Sequence, residues 1–323
     1  MAESTTDTSG DDRDYRVLIS CPLILDDIDK YQSQLNENGI SYTIADVDQQ
    51  LDEHELLETL PAYDGILAGD DELSAEVIES CPRLKVISKW GIGTDNIDFD
   101  AAERHGVEVY NTPGAFTDEV ADIVIGYAIL LTRQLHQIDN AVRQGKWFCP
   151  RGTSLQGKRF GVVGVGNIGS TVARRAAAHG MKVIGNDVQP LPDDLVEDIG
   201  IEPVDRSTLF EEADIVSLNC ALVDGTRNLV SHDELAALGS DGYLINTARG
   251  ELIDQDALIS ALESGTIAGA GLDVFQREPL PADSPLTELD NVVLGTHNAQ
   301  NTHEAVASVN ERAVRNLVEG LST

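Results

Sequence analysis

The sequence runs to 323 residues, 41% of them hydrophobic, which is enough for two domains with a core each. Fifty-six acidic residues against 22 basic ones give a formal charge of -34, a surface that repels nucleic acid and anionic membranes and excludes both as partners. The longest apolar stretches, such as Ile123 to Leu131, fall well short of the roughly 20 residues that cross a bilayer.

Such a chain also repels itself in dilute buffer, whereas at about 1 M salt the screening length falls to roughly 3 Å. Only six of its cations are lysines, and the balance predicts a salt-adapted protein of an ion-rich cytoplasm. Residues 1–14 are polar and acidic, with neither the basic region nor the apolar segment of a secretory signal, and read as a disordered tail. Four cysteines, at 21, 81, 149 and 220, show no metal-ligand spacing; they are expected to be buried reduced thiols, with no metal site.

From residue 15 short β-branched runs alternate with helical patterns. "YRVLIS", "SYTIAD", "DGILAG", "LKVISKW" and "VEVYNT" read as strands, with helices around Ile28 to Asn38, Glu53 to Leu60, Ser74 to Ser80 and Asp98 to His105. Gly39 and Gly106 stand where helix C-caps belong. A long apolar-periodic segment, Asp118 to Ile138, reads as one helix joining two domains. The alternation then starts afresh with six strands, "KRFGVVG", "KVIGND", "DIVSLNC", "GYLINTA", "GAGLDVF" and "NVVLGTH". Helices are expected between them near Ile168 to His179, His232 to Leu238 and Gln255 to Glu263. A final amphipathic helix is marked by Ala305, Val309, Ala313 and Leu317. Such alternation predicts α/β architecture with doubly wound parallel sheets.

"GVVGVGNIGS" carries chemistry in this frame. It follows a strand and opens a helix, so Gly164 permits the tight turn, Gly166 admits a pyrophosphate to the backbone, and Gly169 lets helix and strand pack closely. The helix start at Asn167 and Ile168 supplies N–H donors and partial positive charge. The next strand ends at Asp187, 18 residues beyond Gly169, where a carboxylate can accept both ribose hydroxyls; a solvated strand-end acid is the plainer alternative. No arginine follows Asp187 to receive a 2′-phosphate, which favours NAD over NADP.

Three later strand ends bear polar groups: Arg249 in "LINTARG", Asp273 and Glu278 in "LDVFQREP", and His297 in "VVLGTHNAQ". Together with "KWGIGTDNID" and "VYNTPGAFTDEVAD", in this order, these motifs resemble the D-isomer-specific 2-hydroxyacid dehydrogenases over residues 15 to 320. That family includes phosphoglycerate dehydrogenases, glyoxylate and hydroxypyruvate reductases, D-lactate dehydrogenases and formate dehydrogenases. The resemblance implies a Rossmann NAD-binding domain, 114–298, inserted into a flavodoxin-like substrate domain, 15–113 plus 299–323, around an active-site cleft.

By that resemblance Arg249, Glu278 and His297 are the catalytic trio. Arg249 offers a planar fork that grips a carboxylate and polarises a 2-keto oxygen, His297 exchanges the proton, and Glu278 orients the imidazole and favours its charged form. Gly91, Ile92 and Gly93 resemble the carboxylate cradle, with Asn96 as a further substrate contact; Asn167, Ile168, Thr247, Ala248 and Asp273 are implied NAD contacts. Thr117 either faces the nicotinamide or caps its helix. The other histidines, at 54, 105, 136, 179, 232 and 303, read as structural, and Trp147 reads as packing near the domain junction.

Departures from the family pattern cluster around the histidine. Thr296 precedes it where many members have proline, and Asn298, Ala299, Gln300, Asn301 and Thr302 follow, leaving pocket size and polarity open. Glu278 stands where formate dehydrogenases carry glutamine, and the length leaves no room for the C-terminal regulatory domain of the longer phosphoglycerate dehydrogenases. The expected activity is hydride transfer between NAD and a small 2-keto or D-2-hydroxy acid by a cytoplasmic homodimer. Lys89 and Arg151 are the cations considered for a substrate phosphate. The competing reading is a nucleotide-sensing, non-catalytic binding protein of the corepressor kind.

Overall fold

The computed structural model describes residues 15–47 and 49–322; the acidic tail expected over 1–14 lies outside them. The chain divides into two compact units, one formed by Phe116–Asn301 and the other by the segments that end at Ala115 and resume at Thr302. The boundaries read from sequence, after 113 and 298, therefore fall two and three residues further along. Each unit is an α/β body around its own parallel sheet.

The first unit contains β1 (Tyr15–Ile19), β2 (Ile40–Ile44), β3 (Gly65–Ala68), β4 (Val86–Lys89) and β5 (Glu108–Tyr110). They pair in the order β2-β1-β3-β4-β5, every neighbour parallel, which is the flavodoxin-like order. β3 and β4 are buried along their whole length, as a sheet covered on both faces requires. Between the strands lie α1 (Gln32–Glu37), α2 (Glu53–Thr59), α3 (Ala75–Glu79) and α4 (Phe99–His105). Their ends follow the local sequence: Asp98 accepts the Ala101 N–H at 2.7 Å at the start of α4, and Gly106 closes it at φ +68°. The helix read from Ile28 to Asn38 is only the short α1, preceded by a 3-10 run over Pro22–Lys30.

The closing helix, His303–Ser322, completes this unit. Ala305, Val309, Ala313 and Leu317 are 0 to 3% exposed, and Ser88 Oγ donates to the Ala313 carbonyl at 2.8 Å. Trp90 Nε1 donates to Asn310 Oδ1 at 2.6 Å. The first and last stretches of the chain thus share one core.

The second unit begins with α5 (Thr117–Thr132) and α6 (Leu135–Arg143), where the sequence pattern reads one continuous helix. The helix breaks because Gln134 is left-handed, at φ +52°, and the returning chain takes the end of α5: Thr153 N–H donates to the Thr132 carbonyl at 2.8 Å. The sheet then collects β6 (Arg159–Val163), β7 (Lys182–Asn186), β8 (Glu202–Pro203), β9 (Ile215–Leu218), β10 (Tyr243–Asn246), β11 (Gly269–Leu272) and β12 (Val292–Leu294). The order is β12-β11-β10-β9-β6-β7-β8, all parallel, a doubly wound nucleotide-binding sheet with a seventh strand at one edge. Sequence reading found six of these strands and missed β8, two exposed residues with no alternation to detect. Helices α7 (Asn167–Ala178), α8 (Asp193–Ile199), α9 (Arg206–Glu212), α10 (His232–Leu238) and α11 (Gln255–Ser264) cover the sheet. Since every strand runs the same way, all the β-to-α turns of this unit open on one edge.

Candidate active site

The glycine turn lies at that edge between β6 and α7. Gly164 has φ +85°, and a methyl group on it would come within 2.6 Å of the Cys220 backbone nitrogen, so both the turn and the close approach demand glycine. A methyl on Gly169 would overlap the Gly164 carbonyl oxygen, which explains why helix and strand pack this closely. Gly166 differs: nothing among the described residues lies within 4 Å of its missing β-carbon, and it is exposed. The exposed Asn167 and half-buried Ile168 follow as the first residues of a twelve-residue helix, whose opening N–H groups and partial positive charge suit a phosphate. Asp187, half-buried at the end of β7, accepts the Val165 N–H on Oδ2 at 2.6 Å and the Gln189 N–H on Oδ1 at 2.9 Å. Each oxygen keeps a second acceptor position. The turn thus has an open backbone face beside a braced carboxylate, as an adenosine dinucleotide requires.

Three further turns carry the polar groups. After β10, Asn246 is fully buried; its Oδ1 accepts the Ala248 N–H at 3.1 Å and its Nδ2 donates to the Arg249 carbonyl at 2.7 Å. Thr247, Ala248 and Arg249, all half-buried, are thereby held in a fixed turn. A methyl on Gly250 would overlap the Phe275 carbonyl group, so this turn lies directly against the loop that follows β11. Arg249 Nη1 donates to the Ala248 carbonyl at 2.8 Å.

After β11, Asp273 is 2% exposed, and its N–H donates to the Asn246 carbonyl at 2.9 Å. Its carboxylate is spent inside the unit: Oδ2 accepts the Ala299 N–H at 2.8 Å and Oδ1 faces the Tyr127 hydroxyl at 3.4 Å. Further along the loop Glu278 accepts the Phe275 N–H on Oε1 at 2.8 Å, which turns Oε2 toward His297. After β12, His297 Nδ1 meets Glu278 Oε2 at 2.7 Å, with the two side chains 19% and 17% exposed. The acid is held on two sides, and the imidazole is oriented by it.

Of the residues read from sequence, Gly164, Gly166, Asp187, Thr247, Ala248, Arg249, Asp273, Glu278 and His297 follow strand ends at one edge of the seven-stranded sheet, and Asn167, Ile168 and Gly169 form the first turn of α7 at that edge. Thr117 is the first residue of α5, with no side-chain cap of its own to its helix. Asn246 and Tyr127 were missed. The buried asparagine directly after "LI" was the available signal for the first; nothing local marks the second.

Gly91, Ile92, Gly93 and Asn96 belong to the other unit. Gly91 has φ +129°, and its N–H is already taken by Thr112 Oγ1 at 3.2 Å, so it is not the open donor expected. The N–H groups of Ile92 and Gly93 meet no acceptor among the described residues. Asn96 Nδ2 donates to the Asp71 carbonyl at 2.6 Å. Lys89 is 3% exposed and donates to Asp70 Oδ1 at 2.9 Å and the Trp90 carbonyl at 3.1 Å, a buried cation already paired; Arg151 is exposed. Trp147, expected to pack, is 91% exposed, and Cys149 is exposed rather than buried.

Comparison with known proteins gives the same reading. Residues 125–299 match the model of the D-isomer specific 2-hydroxyacid dehydrogenase NAD binding domain. A glyoxylate reductase of Thermofilum pendens is 41% identical over 273 residues, covering 82% of this chain and 80% of that protein. A hydroxypyruvate reductase of Thermotoga maritima is 36% identical over 313 residues, 95% of this chain and 98% of its own. The crystal structure of an Aquifex aeolicus D-lactate dehydrogenase complexed with NAD and lactic acid superposes with a TM-score of 0.83 at 29% identity, over 93% of each chain. The chain belongs to the D-isomer specific 2-hydroxyacid dehydrogenase family, as an NAD-dependent enzyme whose seven-stranded unit is the NAD-binding domain.

Proposed function

We propose that the chain reduces a small 2-keto acid to the D-2-hydroxy acid, with Arg249, Glu278 and His297 as its reacting side chains. NADH, held by the glycine turn, Asn167, Ile168 and Asp187, supplies the hydride when bound. Arg249 binds the substrate carboxylate and polarises the keto oxygen, while Ile92 and Gly93 offer backbone N–H groups of the kind that suit an anion. Since Nδ1 is committed to Glu278, Nε2 of His297 delivers the proton to the oxygen and recovers it in the reverse direction. The observation that carries this reading is the 2.7 Å pair of His297 and Glu278 on the sheet edge that holds the glycine turn.

Thr247 and Ala248 line the nicotinamide side of the turn in this proposal, and Asp273 shapes that wall from within. The named relatives are reductases and dehydrogenases, which disfavours the nucleotide-sensing alternative. With Lys89 paired to Asp70, a compact acid without a phosphate is the favoured substrate. The test is NADH oxidation in molar KCl with glyoxylate, pyruvate, hydroxypyruvate and phosphohydroxypyruvate. Turnover fastest with glyoxylate or hydroxypyruvate is expected, and no turnover with any of the four overturns the proposal. A KM for NADPH equal to or below that for NADH overturns the role of Asp187.

We infer that the enzyme works in a salt-rich cytoplasm as a homodimer. No helix of the described residues is long and apolar enough to cross a membrane. None of α6 is fully buried, and Leu135 (40% exposed), Val142 (49%), Trp147 (91%) and Phe148 (44%) present an apolar surface that a second copy covers. With a charge of -34 on each chain, this association strengthens with salt. Light scattering in molar KCl is expected to give a dimer for the wild type and a monomer for Val142→Glu combined with Trp147→Ser; a wild-type monomer refutes it.

A further inference from the structure

His297 carries its imidazole on a left-handed backbone, φ +53°, a conformation that residues with a β-carbon hold only where their surroundings impose it. Three hydrogen bonds impose it here. The His297 N–H donates to the Asp273 carbonyl at 2.7 Å, the Ala299 N–H donates to Asp273 Oδ2 at 2.8 Å, and Gln300 Nε2 donates to the His297 carbonyl at 2.9 Å. Two of the three end on Asp273, one on its main-chain carbonyl and one on its carboxylate, so the loop around His297 is placed by that residue and its far end is tied down by the buried acid.

The other oxygen of Asp273 faces the hydroxyl of Tyr127, which rises from the middle of α5 and is 8% exposed. A methyl group on Gly295 would overlap both Asp273 Oδ1 and the Tyr127 hydroxyl, so the segment leading to His297 lies directly against this pair of oxygens. A methyl on Gly271 would come within 2.9 Å of the Tyr127 β-carbon, which locks the ring against β11. Burial and the neighbouring carboxylate push the Tyr127 hydroxyl above its ordinary range, so it stays protonated as a donor. A buried carboxylate needs such donors, because an unmatched one costs the desolvation of a charge.

We propose that Tyr127 is a positioning residue for proton transfer: its hydroxyl fixes the Asp273 carboxylate, which holds the loop 295–299 in the left-handed form that aims His297 at Glu278. The proposal rests on the role given to His297 above. Tyr127 is 8% exposed and acts through Asp273, so its effect falls on turnover and not on binding.

Tyr127→Phe keeps the ring and removes one oxygen. In molar KCl its kcat for keto-acid reduction is expected to fall about fivefold to thirtyfold, the equivalent of one or two hydrogen bonds, with both KM values within about twofold of wild type. Adding Tyr127→Phe to Asp273→Asn is expected to cost little more than Asp273→Asn alone, because the hydroxyl acts through that carboxylate. Unchanged kcat, a loss confined to the KM for NADH, or additive effects in the cycle overturns the proposal. Should Tyr127→Phe fail to fold, Gly295→Ala strikes the same pair of oxygens from the loop side; it must show the same loss of kcat, and wild-type kcat there refutes the idea. A wild type inactive with every keto acid instead refutes the function proposed above. The positioning role then still stands or falls on NMR of the imidazole proton shared by His297 and Glu278, identified by its absence in His297→Asn. That proton is expected to shift and exchange faster in Tyr127→Phe, and an unchanged signal overturns the role.

Discussion

The two sheets end in different ways. In the five-stranded unit the buried charges at the strand ends, Asp71 and Lys89, are consumed internally. Asp71 is fully buried and accepts the Ser20 hydroxyl at 2.6 Å and the Leu51 and Gly69 N–H groups at 2.7 and 2.8 Å, while Lys89 is paired with Asp70. Beside them the N–H groups of Ile92 and Gly93 meet no acceptor among the described residues. In the seven-stranded unit side chains are presented, with His297 and Glu278 each nearly a fifth exposed above buried supports at Asn246 and Asp273. On the function proposed above, the contrast is between binding and reaction. A loop that binds through its backbone needs only a fixed shape, which buried charges beneath it supply; a group that moves a proton must be both braced and reachable.

If that division is real, substitutions in the two units differ in kind. The largest effect is expected at His297→Ala, which should lower kcat about a hundredfold to ten-thousandfold with the affinity for NADH retained, measured by steady-state kinetics and fluorescence titration. A loss under threefold removes His297 from the reaction. Arg249→Lys comes next. A point charge replaces a planar fork, so kcat/KM for the keto acid should fall about tenfold to a hundredfold through both parameters, in line with a lost charge-assisted hydrogen bond. Asp71→Asn probes the other unit, where one oxygen becomes a donor facing donors. Thermal or urea unfolding should show a loss of about 1–3 kcal/mol, and the KM for the keto acid should rise with kcat nearly preserved, because Asn96 leans on the Asp71 main-chain carbonyl, which shifts when the side chain beneath it loses its anchors. A fall in kcat as large as that of His297→Ala would erase the distinction between the units.

The same division marks what the sequence discloses. Strands buried on both faces announce themselves as apolar β-branched runs, and Asp98, Gly106 and the glycines at 164, 166 and 169 mark their turns because local geometry alone dictates them. The residues proposed to react are legible as motifs at strand ends. Their supports are not. The left-handed backbone of His297 and the hydroxyl of Tyr127 depend on neighbours distant in sequence, 146 residues apart for Tyr127 and Asp273. Breaks that tertiary contacts impose are hidden for the same reason. Apolar spacing runs straight through Gln134, and only the returning chain at Thr153 reveals why the helix ends. Aromatic residues also mislead when a surface is apolar, since Trp147 in "GKWF" has the composition of a core residue and the exposure of a surface one.

The smallest expected effect concerns the thiols, and it compares how readily each unit opens. Cys21 follows β1 in the five-stranded unit, and burial pushes its thiol up to about 12; burial raises Cys81 as well. Cys220, beside the glycine turn of the seven-stranded unit, is half-buried and pushed up to about 11. Cys149 is exposed. Thiolate is the form that attacks a disulfide reagent, so at neutral pH one thiol per chain should react quickly with an aromatic disulfide, and Cys149→Ser should abolish that phase without changing activity or melting temperature. The second phase identifies the unit that opens first. Because the Cys220 backbone packs against Gly164, Cys220 should react next and be slowed by saturating NADH, whereas Cys21 and Cys81 should await global unfolding. A Cys21 that reacts before Cys220 would show that the buried charges beneath the five-stranded unit's turns do not hold them shut, and the proposed contrast between a closed cradle and a reachable reacting edge would reverse.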